Sequence, residues 1–392
     1  MVKISVIMPT YNVETFIHDS MNSILNQTLS DIELICVDDG SDDDTLKILE
    51  EYEDKDNRVK LFSLNHQGAG NARNYALNYV SGEYIYYMDS DDILYLNAFE
   101  DFYLLSKAKK LDLLIFKAMN YDVSKNSYYE TEYYNMTQLS KFANRNIFSF
   151  NDLGDLIFNI CETPWCKFYN AEMVKKSGAK FRENSKFNDN QFHWEILFNS
   201  KRIYFLDEYY YIRTRHSESL TASKDENHMD IIGVSNDIID LFGKYDYLDI
   251  YKKMLYNLKV KWILFRYDEI KNEYKEKFYN KIKMDFKYKC PPDFKEMLWN
   301  KQKFYYGCFT ISKKHKDYTQ LSEYYLIINN NQLNQNDKIK LINKWFYSIS
   351  NSYKNYFINT IKNDLKKYDE DKLNLDNKNF YENIMKYEIC EN

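Results

Sequence analysis

Three carboxylates arrive within four positions at the end of an apolar and aromatic run, Tyr84-Ile85-Tyr86-Tyr87-Met88-Asp89-Ser90-Asp91-Asp92. Hard divalent cations such as Mg2+ and Mn2+ take oxygen ligands and keep positions open for water and substrate phosphates. Clustered Asp residues at a strand end therefore suit a metal-diphosphate complex. The same residues also fit a helix start, with Asp92 as an N-cap before Ile93-Leu94. Two further polar clusters lie upstream, Pro9-Thr10-Tyr11-Asn12 and Asp38-Asp39-Gly40-Ser41.

The elements that must position these groups alternate along the first 120 residues. Ile4–Met8, Ile32–Val37, Val59–Phe62, Tyr84–Met88 and Leu113–Phe116 have the length and apolar content of short buried strands, and longer amphipathic stretches separate them. This is an α/β pattern with a mostly parallel central sheet, in which ligands bind outside the carboxyl ends of the strands. All three polar clusters fall at such ends. Ser41 is expected to cap the helix that follows it, with Asp42, Asp43 and Asp44 in its first turn. Residues 121–150 have weak periodicity and are expected to form a loop or hairpin excursion. Beyond them the pattern predicts a helix up to about Ile160, a strand at Trp165–Tyr169, a helix over Asp189–Asn199, and strands at Ile203–Phe205 and Tyr209–Ile212. After Thr221-Ala222-Ser223 the sequence turns to long helical patterns, broken near 291 by Pro291-Pro292.

Composition sets outer bounds. The chain has 392 residues, 44% hydrophobic and 29% charged, which is the profile of a soluble globular protein of two or three structural units. No apolar run approaches the roughly 18–20 residues that span a bilayer, and the N-terminus is too short for a secretory segment, so a cytoplasmic location is expected. Six cysteines without a Cys-x-x-Cys pair suggest reduced thiols. The net charge of −6 is unevenly spread: residues 1–250 carry 25 Lys and Arg against 41 Asp and Glu, and residues 251–392 carry 28 against 18. An acidic first part argues against nucleic-acid binding. In the basic part, residues 251–290 mix Lys252, Lys253, Lys259, Lys261 and Arg266 with Leu255, Leu258, Trp262, Ile263 and Phe265. Two readings stay open there: an interfacial helix at an anionic membrane, or a helix packed on its neighbours with a solvated cationic face.

Taken in order and spacing, five motifs resemble those of the family 2 glycosyltransferases of the GT-A fold. They are Ser5–Asn12, Val37–Asp43, Gly68-Ala69-Gly70-Asn71-Ala72-Arg73-Asn74, Gly82–Ile85 and Met88–Asp92, with looser similarity through Pro164–Lys167 and Asn188–Phe192 to Arg213. The resemblance covers about residues 1–222, with a nucleotide-sugar half over about 1–120 and an acceptor half over about 121–222. It leaves a helical region, 223–392, unexplained. It implies nucleotide contacts from Pro9, Thr10, Tyr11, Asp39, Arg73, Asp89 and Ser90, and a Mn2+ or Mg2+ ion on Asp91. It also implies a catalytic carboxylate about 100 residues on, where an acidic pair is expected and Asn188-Asp189 stands, leaving Asp189 as the base. Arg213, Arg215, His216 and Ser219 lie where a loop closes over the donor diphosphate, and His216 is a further candidate metal ligand. Trp165 and Lys167 lie where the acceptor side begins, Trp165 as a sugar platform or as core.

The expected activity is inverting, metal-dependent transfer of a sugar from a nucleoside diphosphate, UDP first among the candidates, to a hydroxyl of a glycan or glycolipid acceptor in surface polysaccharide synthesis. Two rivals are weighed beside it. A sugar-phosphate nucleotidyltransferase would place a Gly-rich, Arg-containing loop after the first strand, where Pro9-Thr10-Tyr11-Asn12 stands instead. A catalytically silent nucleotide-sugar binding or scaffold protein draws its support from Asn188 alone.

Overall fold

The computed structural model describes residues 1–216 and 223–387. Two compact units divide it, Met1–Lys252 and Lys253–Asn392.

In the first unit the strands are β1 (Ile4–Thr10), β2 (Ile32–Asp38), β3 (Val59–Ser63), β4 (Tyr84–Tyr87), β5 (Ile93–Leu94), β6 (Leu113–Asp122), β7 (Ser127–Tyr129), β8 (Ile147–Phe148), β9 (Lys167–Asn170) and β10 (Ile203–Arg215). They form one sheet in the order β3-β2-β1-β4-β9-β6-β10-β5, with β7 on β6 and β8 on β10. The long pairings, β1 with β2 and β6 with β10, are parallel. β9 is antiparallel to both β4 and β6, so those two strands still run the same way. As a result Thr10, Asp38 and Ser63 stand in register at one edge, and the C-terminal ends of β4 and β10 point to that edge as well.

β1 and β2 are buried at every position, which explains their apolar runs without alternation. Helices α1 (Ile17–Leu25), α2 (Thr45–Lys55), α3 (Ala69–Ala76) and α4 (Ala98–Lys109) connect the early strands. Helices α5 (Glu132–Asn135), α6 (Thr137–Ala143), α7 (Ala171–Ser177), α8 (Asp189–Asn199) and α9 (Ile231–Lys244) follow. Aromatic stacking fills the spaces between layers, Phe102 on Phe116 at 4.4 Å and Phe181 on Phe192 at 4.1 Å. Each such ring buries roughly 150–250 Å² and dominates the local packing energy.

Several sequence expectations are adjusted here. The helix expected up to Ile160 consists of 3-10 turns, Phe150–Asp152 and Gly154–Asn159. Trp165 lies in a 3-10 turn and the strand begins only at Lys167. The two expected strands after Lys201 are one strand, β10, whose register with β6 shifts between Leu206 and Tyr209 and again before Tyr211. Asp92 does not cap a helix; it precedes β5 and is buried. Ser41 does not cap one either, because α2 starts at Thr45 and the Ser41 hydroxyl donates to Asp38 at 2.5 Å.

Helix α10 (Leu248–Glu269) leads into the second unit, which is helical throughout: α11 (Asn272–Tyr288), α12 (Phe294–Met297), α13 (Asn300–Ile311), α14 (His315–Ile328), α15 (Gln335–Ser348), α16 (Asn351–Leu365) and α17 (Leu375–Lys386). Its core is rich in aromatic rings, such as Phe309 stacked on Tyr318 at 3.9 Å. Within α10, Leu255 and Ile263 are buried, and Lys259 is 1% exposed and paired with Asp285 at 2.5 Å. Leu258 and Trp262 are half-buried and Phe265 is 53% exposed, so packing takes up only part of that mixed face. Among the described residues no helix is long and apolar enough to cross a membrane. The described cysteines, Cys36, Cys161, Cys166, Cys290 and Cys308, are free thiols.

Candidate functional site

The nucleotide edge is built by turn chemistry. Asp38, sealed at the end of β2, accepts the N–H groups of Gly40 and Ser41 at 3.1 Å each, which closes the turn. Gly40 has φ +78 and lies against the backbone of Leu64 and His66, a conformation and a closeness that favour glycine. Asp38 is thus a turn former. Asp39 is 3% exposed and links this turn to the start of α3, accepting from Gln67 N and Gly68 N at 2.6 Å each. A carboxylate oxygen can accept a second bond, so these contacts orient Asp39 without exhausting it. Pro9 and Thr10 end β1 in the core, Thr10 donating to the Val37 carbonyl at 3.4 Å. Tyr11 is half-buried, its ring 4.4 Å from that of His66. His66 therefore stands at this edge as well.

Charge gathers at the ends of β4 and α8. Arg73 on α3 is 5% exposed and reaches three residues, Asp89 at 2.7 Å, Asn188 at 2.7 Å and Asp189 at 3.1 Å. The closeness of these segments depends on Gly70. A Cβ there would come within 2.5 Å of the Arg182 carbonyl oxygen and 3.0 Å of Asn188 Cβ. Asp189 opens α8 and keeps 30% of its side-chain surface. Burial in the cleft pushes its carboxyl up to about 6, against the opposing pull of Arg73, with Asp89 and Glu162 adding to the rise. Asp89 is also pushed up, by burial first and then by Asp91, and Arg73 moderates it. Ser90 is buried between them in sequence.

Asp91 faces the end of β10, where His216 Nε2 lies 2.9 Å from its Oδ2 and Phe16 packs against the imidazole at 4.2 Å. Among the described residues no group of three or more His, Cys, Asp and Glu side chains surrounds one metal position. Asp91 and His216 bring one carboxylate and one imidazole together, a donor pair whose chemistry fits a divalent cation that takes its remaining ligands from outside the protein. Arg213 donates to Tyr134 Oη at 3.0 Å and lies within the field of Asp92, Asp89 and Asp91. Arg215 ends β10 opposite Asp122. Ser219 lies outside the described residues.

On the acceptor side the core reading of Trp165 holds and the expectation for Lys167 changes. Trp165 is 3% exposed and stacks face to face on Tyr211, at 4.3 Å and 8°, so its ring is core and not an open platform. Lys167 is 1% exposed, and its ammonium donates to the carbonyls of Cys161 at 2.5 Å and Thr163 at 2.7 Å, so it braces a loop. Sequence reasoning missed what stands behind the Asp cluster. Tyr211 donates to Asp92 Oδ2 at 2.6 Å, Thr214 N donates to Asp92 Oδ1 at 2.7 Å, and Ser20 donates to the Asp92 carbonyl at 2.6 Å. Burial, then Asp91 and Asp89, push Asp92 well above the usual carboxylate range. The Tyr-rich run of β10 was the available signal.

Comparison with known proteins bears on the family and the fold. The family model for glycosyl transferase family 2 matches residues 5–178. Among relatives, the glycosyltransferase GlyG of Streptococcus pneumoniae is 29% identical over 279 residues, covering 70% of this chain and 88% of that one. The poly(ribitol-phosphate) beta-N-acetylglucosaminyltransferase TarP of Staphylococcus aureus is 32% identical over 237 residues, covering 59% and 67%. A crystal structure of S. aureus TarS residues 1–349 with UDP-GlcNAc superposes with a TM-score of 0.64 at 22% identity, covering 83% of this chain and 92% of that one, which speaks to the fold. With strand-end carboxylates, a shared guanidinium and these relatives in agreement, the chain belongs to glycosyl transferase family 2 and is a glycosyltransferase of the GT-A fold.

Proposed function

We propose that the protein is an inverting glycosyltransferase that moves a sugar from a UDP-sugar to a hydroxyl of a glycan or glycolipid acceptor, with UDP-N-acetylglucosamine as the first donor to test. The relatives TarP and TarS carry N-acetylglucosaminyltransferase names, and TarS was solved with UDP-GlcNAc, which supports that donor. The observation that carries the reading is the Arg73 bridge. One guanidinium holds Asp89, beside the proposed donor diphosphate, and Asp189, at the proposed acceptor side.

In this reading Tyr11 and Asp39 receive the base, and Asp89 and Ser90 face the ribose and diphosphate. Asp189 accepts the proton of the acceptor hydroxyl as that oxygen attacks the anomeric carbon and the bond to the diphosphate breaks. A single displacement inverts the anomeric centre. Arg213 and Arg215 supply cationic donors to the diphosphate side. Asp91 and His216 would hold Mn2+ or Mg2+, which when bound neutralises charge on the leaving diphosphate.

The test is a donor panel. UDP-, GDP- and TDP-sugars are incubated with the protein and manganese, and nucleotide release is measured with and without excess chelator. Release from a UDP-sugar that the chelator abolishes is expected. Equal UDP affinity by calorimetry with manganese and with chelator would remove metal dependence, and release from none of the donors would remove the transferase assignment.

A further inference from the structure

With Trp165 in the core, the acceptor side needs another surface that recognises a polyhydroxylated molecule. The segment between Cys161 and Lys167 carries one. Lys167 donates to the carbonyls of Cys161 and Thr163, the two residues that flank Glu162. Tyr133 donates its hydroxyl to Glu162 Oε2 at 2.5 Å and accepts the Glu162 N–H at 3.1 Å. Glu162 is thus held on both sides of its backbone and at its carboxylate. A buried ammonium is costly, and here it is committed to the shape of a half-buried acidic turn.

The neighbours place this turn at the site. Glu162 is one of the charges that raise Asp189. Tyr133 sits on α5 next to Tyr134, whose hydroxyl receives Arg213 and whose ring packs on Trp165 at 5.0 Å. α5 is therefore tied to the floor of the cleft by Tyr134 and presents Tyr133 beside it. Tyr133 as a residue is 45% exposed, and its hydroxyl is turned to Glu162.

We propose that Glu162 and Tyr133 form an acceptor subsite, the carboxylate accepting a sugar or polyol hydroxyl next to the one that reacts and the tyrosine ring covering a C–H face. A carboxylate offers about four acceptor positions, so the Tyr133 bond orients the group for a ligand. An exposed ring beside an oriented polar group is the combination that small-molecule sites use for specificity. The proposal rests on the transferase reading above and adds the residues that choose the acceptor. Glu162 and Tyr133 act here by binding; the proton goes to Asp189.

Saturation-transfer NMR tests it on the full chain with UDP present, using methyl β-N-acetylglucosaminide, methyl β-galactoside and free ribitol as probes. At least one probe is expected to bind the wild type, and Glu162→Gln and Tyr133→Phe are each expected to weaken it at least about fivefold. UDP affinity by calorimetry should stay within about twofold in both variants. With a working acceptor, Glu162→Gln should raise acceptor KM far more than it lowers kcat, the reverse of a lost base. No binding by any probe to the wild type, or unchanged binding in both variants, overturns the subsite. Failure of the wild type to bind UDP would instead remove the UDP-sugar reading, so the two failures are distinguishable.

Discussion

In the first unit one guanidinium, Arg73, is divided between Asp89 and Asp189, with Asp91 and Asp92 in the same turn as Asp89. In the helical unit Lys259 pairs with Asp285 at 2.5 Å, and the two side chains keep 1% and 4% of their surfaces. Elsewhere in that unit Asn257, fully buried, donates to the Met297 carbonyl and accepts from Trp299 N. A balanced pair holds a fold together. A cluster with surplus negative charge has its carboxyl groups pushed upward and gains stability from an arriving proton or cation. The contrast separates charge buried for chemistry from charge buried for structure, and four substitutions test it.

The largest effect is expected at Asp189. Asp189→Asn keeps the size of the side chain and removes the base, so turnover should fall by about 10²- to 10⁴-fold while UDP affinity barely changes. The sign of the pH dependence follows from burial. The folded-state value, about 6, lies above the ordinary carboxylate value, and the base must be ionised to act. Wild-type turnover should therefore fall as pH drops through about 6, and the residual rate of Asp189→Asn should lack that limb. An Asn variant within a few-fold of wild type would show that another group accepts the proton.

Next come two cation deletions that should diverge. Lys259→Met removes the buried cation beside the sealed Asp285 and should cost about 3–5 kcal/mol of stability, read from urea unfolding of the full chain, with turnover per folded molecule nearly unchanged. Arg73→Met leaves Asp89 and Asp189, which retain 33% and 30% of their side-chain surface and can take up protons or water. Its stability loss should be clearly smaller, and its turnover should collapse. Equal losses of stability in the two variants would erase the distinction drawn here.

The smallest expected effect is at Gly70. An added methyl would meet the Arg182 carbonyl oxygen at 2.5 Å, forcing α3 away from the segment before α8. Overpacking of this kind typically costs about 1–3 kcal/mol. Because the displaced helix carries Arg73, turnover should fall further than the melting temperature suggests. Thermal unfolding and kcat measured together decide this.

Much of the nucleotide edge was legible in the sequence because its signals are local. Short apolar runs ended by Thr10, Asp38 and Asp89 encode strands that stop where a ligand binds, and the α8 start at Asp189 follows from an acid placed before an amphipathic run. The acceptor side was less legible. Trp165 and Lys167 have the composition of a binding segment, yet a ring stacked on Tyr211 and an ammonium on two carbonyls depend on how β9 and β10 meet across β6.

By itself the sequence determined the alternation of strands and helices, the polar edge, the change to helices after the sheet, and the opposite charges of the two parts, since each is written in residues a few positions apart. Only the tertiary structure decided which polar groups face the cleft and which brace it. The register shifts after Leu206 turn Tyr211 toward Asp92, and the missing side chain at Gly70 lets Arg73 reach a carboxylate 116 positions away. Side-chain direction on a strand and contact across more than a hundred residues are settled by closure of the whole sheet, which no local pattern contains.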